Sequence, residues 1–221
     1  MSRVVRLLVA LVMMVGILQW VVPQWAAAQI SRRVAALDQG KRPQVTLAAI
    51  PFWELASGRF QDLFMKSQAI RLGPIEVASA QLNWQNGQVA VASLMKGRLA
   101  IVKSGRVSMS IRLNGQALAD FLAKQGKIQN TRVTVTTRDV RIQGRMTLAG
   151  VDVPVDTTGT ILISADRSRL IFHPTVIDGI NLPMMTDVQI LDLSTLNLPL
   201  PLAIRSVVLA PDSIVVNAGT P

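Results

Sequence analysis

The sequence predicts a mainly antiparallel β fold of the α+β class. Three observations predict it: short runs with apolar residues at every second position, turn-forming pairs between those runs, and few stretches with helical spacing. Half of the 221 residues are hydrophobic and 16% are charged, enough apolar material for one ordinary core and too much for a disordered chain. Cysteine is absent, so neither disulfides nor thiol chemistry contribute.

Taken in order, the chain begins with Arg3 and Arg6, followed by an uncharged run from Leu7 to Ser31. Pro23 interrupts that run, and Ala26-Ala27-Ala28 has the small-residue pattern of a signal-peptidase site. The run is also long enough for the ~20 residues that span a bilayer. Residues 1–28 therefore read as a signal peptide or an N-terminal membrane anchor, and residues 29–221 as a single exported domain. Arg32, Arg33, Lys41 and Arg42 follow on the far side, so charge does not fix an orientation. Residues 29–39 can continue a helix, and Pro51 to Ser57 suit a short one that stops at Gly58.

The hairpins come next. Asn86-Gly87 is a strong two-residue turn signal that would set Trp84 against Val89, Leu82 against Val91 and Ala78 against Met95. A three-residue loop at Ser104-Gly105-Arg106 would oppose Ile101 to Met109 and Leu99 to Ile111. Asn114 can cap a helix over 115–124, whose Leu118, Phe121 and Leu122 share a face. A turn at Ala149-Gly150 pairs Leu148 with Val151 and Met146 with Val153. It leaves Thr147 opposite Asp152 and Gln143 opposite Asp156 on a wet face with Arg141 and Arg145. Further strands are expected at 131–137, 159–164, 169–173, 203–210 and 213–217, the last two joined at Pro211-Asp212-Ser213.

One stretch stands out. Leu196, Leu198, Leu200, Leu202 and Ile204 recur at every second residue and, as a strand, would form an apolar stripe roughly 26 Å long at ~3.3 Å per residue. Pro199 and Pro201 remove two successive N–H donors from one edge, which places this segment at a sheet border. Such a stripe suits either a core margin or the lip of an apolar groove.

The formal charge is +10, and residues 1–112 hold 14 Lys/Arg against 4 Asp/Glu. That imbalance favours anionic partners, whether lipid head groups, a membrane surface or anionic wall polymer. Nucleic acid fits poorly, because exposed aromatics interleaved with basic residues are missing from a chain that is 4% aromatic. Catalysis has little support. His173 is the only histidine, no nucleophile elbow or phosphate-binding glycine loop occurs, and no metal-ligand spacing is present. Asp152 and Asp156 would stand roughly 13 Å apart along a strand, beyond the ~5–9.5 Å of glycosidase carboxyl pairs. The expectation is a protein that is not an enzyme and needs no metal or cofactor.

Several of these stretches together resemble a known family. Ile190 to Leu202 (ILDLSTLNLPLPL), followed by a short strand, a turn and a terminal strand, resembles the C-terminal signature of the LmeA-like phospholipid-binding proteins of bacterial cell envelopes. Pro51-Phe52 through Gly58-Arg59-Phe60, the Asn86-Gly87 pair and the segment Leu113 to Leu122 fit the same pattern in order, so the resemblance covers roughly residues 43–219. Where relatives begin the helix with Thr-Glu-type caps, this chain has Asn114-Gly115. The resemblance implies a fold similar to tubular lipid-binding domains: a curved antiparallel sheet wrapped around one or two helices and enclosing an apolar groove. It carries no catalytic residues.

The expected function is non-catalytic binding of phospholipid or a similar amphiphile through an apolar groove with a basic exterior. Candidate lipid-lining residues are Phe52, Phe64, Trp84, Leu196, Leu198, Leu200, Leu202 and Ile204. Candidates for head-group or membrane-surface contact are Lys96, Arg98, Arg106, Arg112, Arg141 and Arg145. The alternative is a cell-surface scaffold with a closed core that binds anionic wall polymer or a partner protein. No oligomeric state is implied.

Overall fold

The alternating runs become twelve strands among the described residues, all of the assigned pairings antiparallel, with few helices. The computed structural model describes residues 13–19, 21–28, 31, 43–72, 75–96, 100–124, 128–148, 151–177, 187–196 and 200–220. The expected α+β, mainly β class is the class observed. Two compact units result: Met1–Ser67 with Leu82–Val107, and Gln68–Gln81 with Ser108–Pro221. The boundary cuts through β2 (Arg59–Leu72), β3 (Ile75–Val89) and β5 (Arg106–Asn114), so each of these strands lends one end to each unit.

In the first unit, β1 (Gln44–Ala48) pairs with β2 from Gln44↔Lys66 to Ala48↔Asp62. The expected helix after Pro51 is a 3-10 helix, Phe52–Ser57, closed by Gly58 at φ 75°, a left-handed value that glycine adopts without a Cβ penalty. Asn86-Gly87 does not form a hairpin loop. β3 runs straight through it, with Asn86 at φ 52°; residues 73–74, which join β2 to β3 in the sequence, lie outside the described residues. The glycine serves packing instead. A Cβ on Gly87 would lie 2.4 Å from the Phe60 ring and 2.6 Å from the Trp84 indole. Those two rings meet edge to face with centroids 4.9 Å apart.

The loop at 104–106 also differs from expectation. β4 (Ile101–Lys103) pairs with β3, through Gln88↔Lys103 and Val89↔Ile101, and not with β5. The indole N–H of Trp84 donates to the Ser104 carbonyl, which holds this loop against β3. A short helix, α1 (Val91–Met95), links β3 to β4. Residues 13–19 and 21–28 are helical, whereas residues 1–12 and all of 29–39 except Ser31 lie outside the described residues. Among the described residues no helix is long and apolar enough to cross a membrane.

In the second unit, β5 pairs with β12 (Ser213–Gly219), which pairs with the edge strand β11 (Ala203–Ala210) around the expected turn at Pro211-Asp212. A five-stranded sheet runs β10-β9-β8-β7-β6, with β6 Gln129–Val135, β7 Val140–Leu148, β8 Val151–Ile163, β9 Arg169–Ile177 and β10 Val188–Asp192. The β7–β8 register is the one that the Ala149-Gly150 turn predicts: Leu148↔Val151, Met146↔Val153, Thr147↔Asp152 and Gln143↔Asp156. Helix α2 (Gly115–Lys124) starts where Asn114 does cap it, the Ala117 N–H donating to Asn114 Oδ1 at 2.8 Å.

One core collects the inward residues of this unit. Ile75, Val77, Ile111, Leu113, Ile204, Ile214 and Val216 come from one sheet, Val140, Ile142, Leu170, Phe172 and Ile190 from the other, and Leu118, Phe121 and Leu122 from α2. Backbone bonds tie the layers together. Asp212 N–H donates to the Val135 carbonyl at 3.0 Å, and Ile204 N–H to that of Arg167 at 2.7 Å.

The leucine stripe is not a single strand. Leu193–Leu196 forms a 3-10 helix, and β11 begins only at Ala203. The cause is local. Asp192 Oδ1 accepts the Ser194 N–H at 2.9 Å, and Thr195 Oγ1 donates to the Asp192 carbonyl at 2.9 Å, so short side chains outcompete the ladder.

Candidate functional site

The feature with binding chemistry lies in the second unit, where α2 covers the five-stranded sheet. Its position is fixed at the helix start. Besides the Asn114 cap, the Gly115 N–H donates to the Asp212 carbonyl at 3.3 Å, and a Cβ on Gly115 would lie 2.5 Å from the Val133 carbonyl. Only a residue without a side chain lets the helix approach β6 this closely, which gives the departure from Thr-Glu-type caps a physical basis.

Between helix and sheet remains an apolar cavity of about 10 Å³. Leu118, Phe121 and Leu122 of α2 line it, with Val133 of β6, Val140 and Ile142 of β7, Phe172 of β9, and Val188 and Ile190 of β10. Every lining side chain is hydrocarbon, so the space offers nothing to hold a water, a metal or a polar substrate. It offers dispersion and dryness to an alkyl group.

The residues expected from sequence are distributed as follows. Ile204 is fully buried in the core, Leu202 packs against that core, and Leu200 is half-buried. Leu198, the side chain of Leu196, and Arg98 lie outside the described residues. In the first unit Trp84 is buried, Phe52 is half-buried beside Trp53, and Phe64 is 38% exposed. The α2 side of the cavity was visible as the apolar face of 115–124. The sheet side was missed, although its signal is the same alternation, at 140/142, 170/172 and 188/190.

Of the basic candidates, Lys96, Arg106, Arg112, Arg141 and Arg145 are exposed. Arg141 is engaged on the wet face of β7–β8. Its Nε donates to Asp156 Oδ1 at 2.7 Å and its Nη2 to Oδ2, while Gln143 donates to the same carboxylate at 2.8 Å. These donors, Arg141 first, lower the Asp156 pKa from 3.8 to about 2. Hydroxyls do the same for Asp166, at about 2 through Ser164 and Ser168, and Ser194 holds Asp192 below the ordinary range. His173 is exposed on β9 with Nδ1 2.8 Å from Asp187 Oδ1. Among the described residues no three His, Cys, Asp or Glu side chains converge in a way that would hold a metal ion.

Charge divides sharply between the units. The sequence of the first holds 12 Lys/Arg against 3 Asp/Glu, net +9, and that of the second 11 against 10, net +1.

No curated protein and no solved structure matches the chain. A family profile described as LmeA-like phospholipid-binding matches residues 17–219, nearly the whole length. The chain belongs to the LmeA-like phospholipid-binding family.

Proposed function

We propose that this protein is a non-catalytic binder of phospholipid or a similar amphiphile in the bacterial cell envelope. The observation that carries the reading is the all-hydrocarbon cavity beneath α2, in a chain whose family is a phospholipid-binding one. An acyl chain enters there as α2 shifts outward from the sheet. Each methylene removed from water contributes ~0.8 kcal/mol, so four or five offset a modest displacement of a ten-residue helix. Leu202, packed against the core, extends the apolar path. Basic side chains such as Lys96, Arg106, Arg112 and Arg145 draw anionic head groups toward the protein.

The test is purification of the full chain without detergent, followed by native mass spectrometry and lipid extraction. Bound phospholipid near one per chain supports the reading. Repeated absence of lipid, with no uptake from anionic vesicles, overturns it. The tightness of the cavity favours a second reading, in which the core stays closed and the basic surface holds anionic wall polymer. A pull-down on that polymer without any lipid in the preparation would establish it.

A further inference from the structure

Gln19 and Ser31, in the described part of the uncharged N-terminal run, make specific polar contacts with the rest of the first unit. Gln19 Nε2 donates to the Ala49 carbonyl at 2.6 Å, and its Oε1 accepts the Phe52 N–H at 2.9 Å. One side chain thus satisfies two backbone groups of the turn that leads into the 3-10 helix. Further along, Pro23 and Ala27 are buried and Ser31 Oγ donates to the Pro43 carbonyl at 2.8 Å. A helix crossing a bilayer would leave Gln19 without these partners. The Ala26-Ala27-Ala28 motif is helical, with Ala27 buried.

The other side of the same segment is apolar and uncovered. Met13 and Ile17 lie four apart in one helical stretch, Val21 and Trp25 four apart in the next, and each is more than half exposed. Ile50 and Trp53, flanking the backbone groups that Gln19 holds, are more than half exposed too. Six large apolar side chains, two of them tryptophan, on the unit that carries net +9 make a specific combination. Tryptophan prefers the head-group level of a membrane, and positive charge selects anionic lipid. A second copy of the chain would bring +9 against +9.

We infer that residues 13–28 stay with the folded protein and that the first unit sits on an anionic bilayer through their outer apolar face together with Ile50 and Trp53. The helix lies in the interface plane and does not cross. The choice of a phospholipid bilayer as occupant rests on the function proposed above. It goes further in naming which unit faces the membrane and which residues enter it.

The experiment uses the full chain expressed in a bacterium, in three measurements. Intact mass of the protein recovered from the cells is expected to include residues 13–28; a chain beginning after Ala28 overturns the inference. Flotation with phosphatidylcholine vesicles containing 30% phosphatidylglycerol is expected to show at least tenfold tighter binding than with phosphatidylcholine alone, a difference that 0.5 M salt removes. Ile17→Asp with Trp53→Asp is expected to cut vesicle binding tenfold or more, while the lipid extracted per chain stays unchanged. Wild-type-like flotation of that variant overturns the inference. So does a wild-type dimer that the same substitutions separate, because a second copy then covers the face. Unchanged docking with no extractable lipid would refute the proposed binding function and leave the docking face standing.

Discussion

Phe121→Ala tests whether the space beneath α2 is a latent acyl site or ordinary core. Phe121 is 4% exposed and projects from α2 into the cavity lining. Truncating a buried phenylalanine to alanine costs about 3–5 kcal/mol. A residual hole of roughly 100 Å³ would account for about 2.4 kcal/mol of this, at ~24 cal/mol per Å³. An alkyl chain can refill that hole. Three methylenes would return about 2.4 kcal/mol at ~0.8 kcal/mol each. The assay is urea unfolding of delipidated wild type and variant, each with and without a short-chain phosphatidylglycerol below its micelle concentration. The variant should lose about 3–5 kcal/mol without lipid. It should recover about half of that with lipid, against a smaller gain for wild type. A loss that lipid does not reverse would refute access of alkyl chains to this space. A loss under ~1 kcal/mol would refute the packing of α2 itself.

Three further outcomes follow from named contacts. Asn114→Ala removes the cap on Ala117 and should cost about 1 kcal/mol in denaturant unfolding, with Asn114→Asp close to wild type. Gly115→Ala should destabilise by about 1–3 kcal/mol because its Cβ meets the Val133 carbonyl, even though helix propensity alone favours alanine by ~1 kcal/mol; a stabilised variant would contradict the close approach. Asp156 and Asp166 have folded pKa values lowered from 3.8 to about 2, so their stabilisation is present above pH 4 and is lost as pH falls from about 4 to 2. Stability measured from pH 7 to 2 should fall in that acid window, and Asp156→Asn should reduce the fall while costing about 0.5 kcal/mol at pH 7, in the range of exposed ion pairs.

Local chemistry that acts alone was legible in the sequence. The Asn114 cap, the Gly58 stop and the β7–β8 register each depend on residues within about one turn or one hairpin, and each appears as expected. Where two local rules compete, the reading failed. Asn86-Gly87 satisfies a turn rule, but the rings of Phe60 and Trp84 needed the space, and β3 continued through. The leucine alternation satisfies a strand rule, but Asp192, Ser194 and Thr195 fold back on their own backbone. The sheet side of the cavity was missed for a second reason: each strand shows its own alternation, but Val140, Phe172 and Ile190 come from three separate strands that only the sheet order brings together. The family resemblance supplied what neither spacing nor composition contains, the lipid.

The position of β12 has a consequence for how the protein is made. It lies between β5 and β11, so the core under α2 is walled by a strand about a hundred residues downstream of its partner. The turn before it supplies the carbonyl that receives the first amide of α2 and the amide that meets β6. While the chain is still emerging, α2 can form and the β7–β8 hairpin can zip, but one backbone edge of β5 stays without its partner strand until residues 213–219 arrive. During that interval the chain is most exposed to aggregation and most open to an amphiphile.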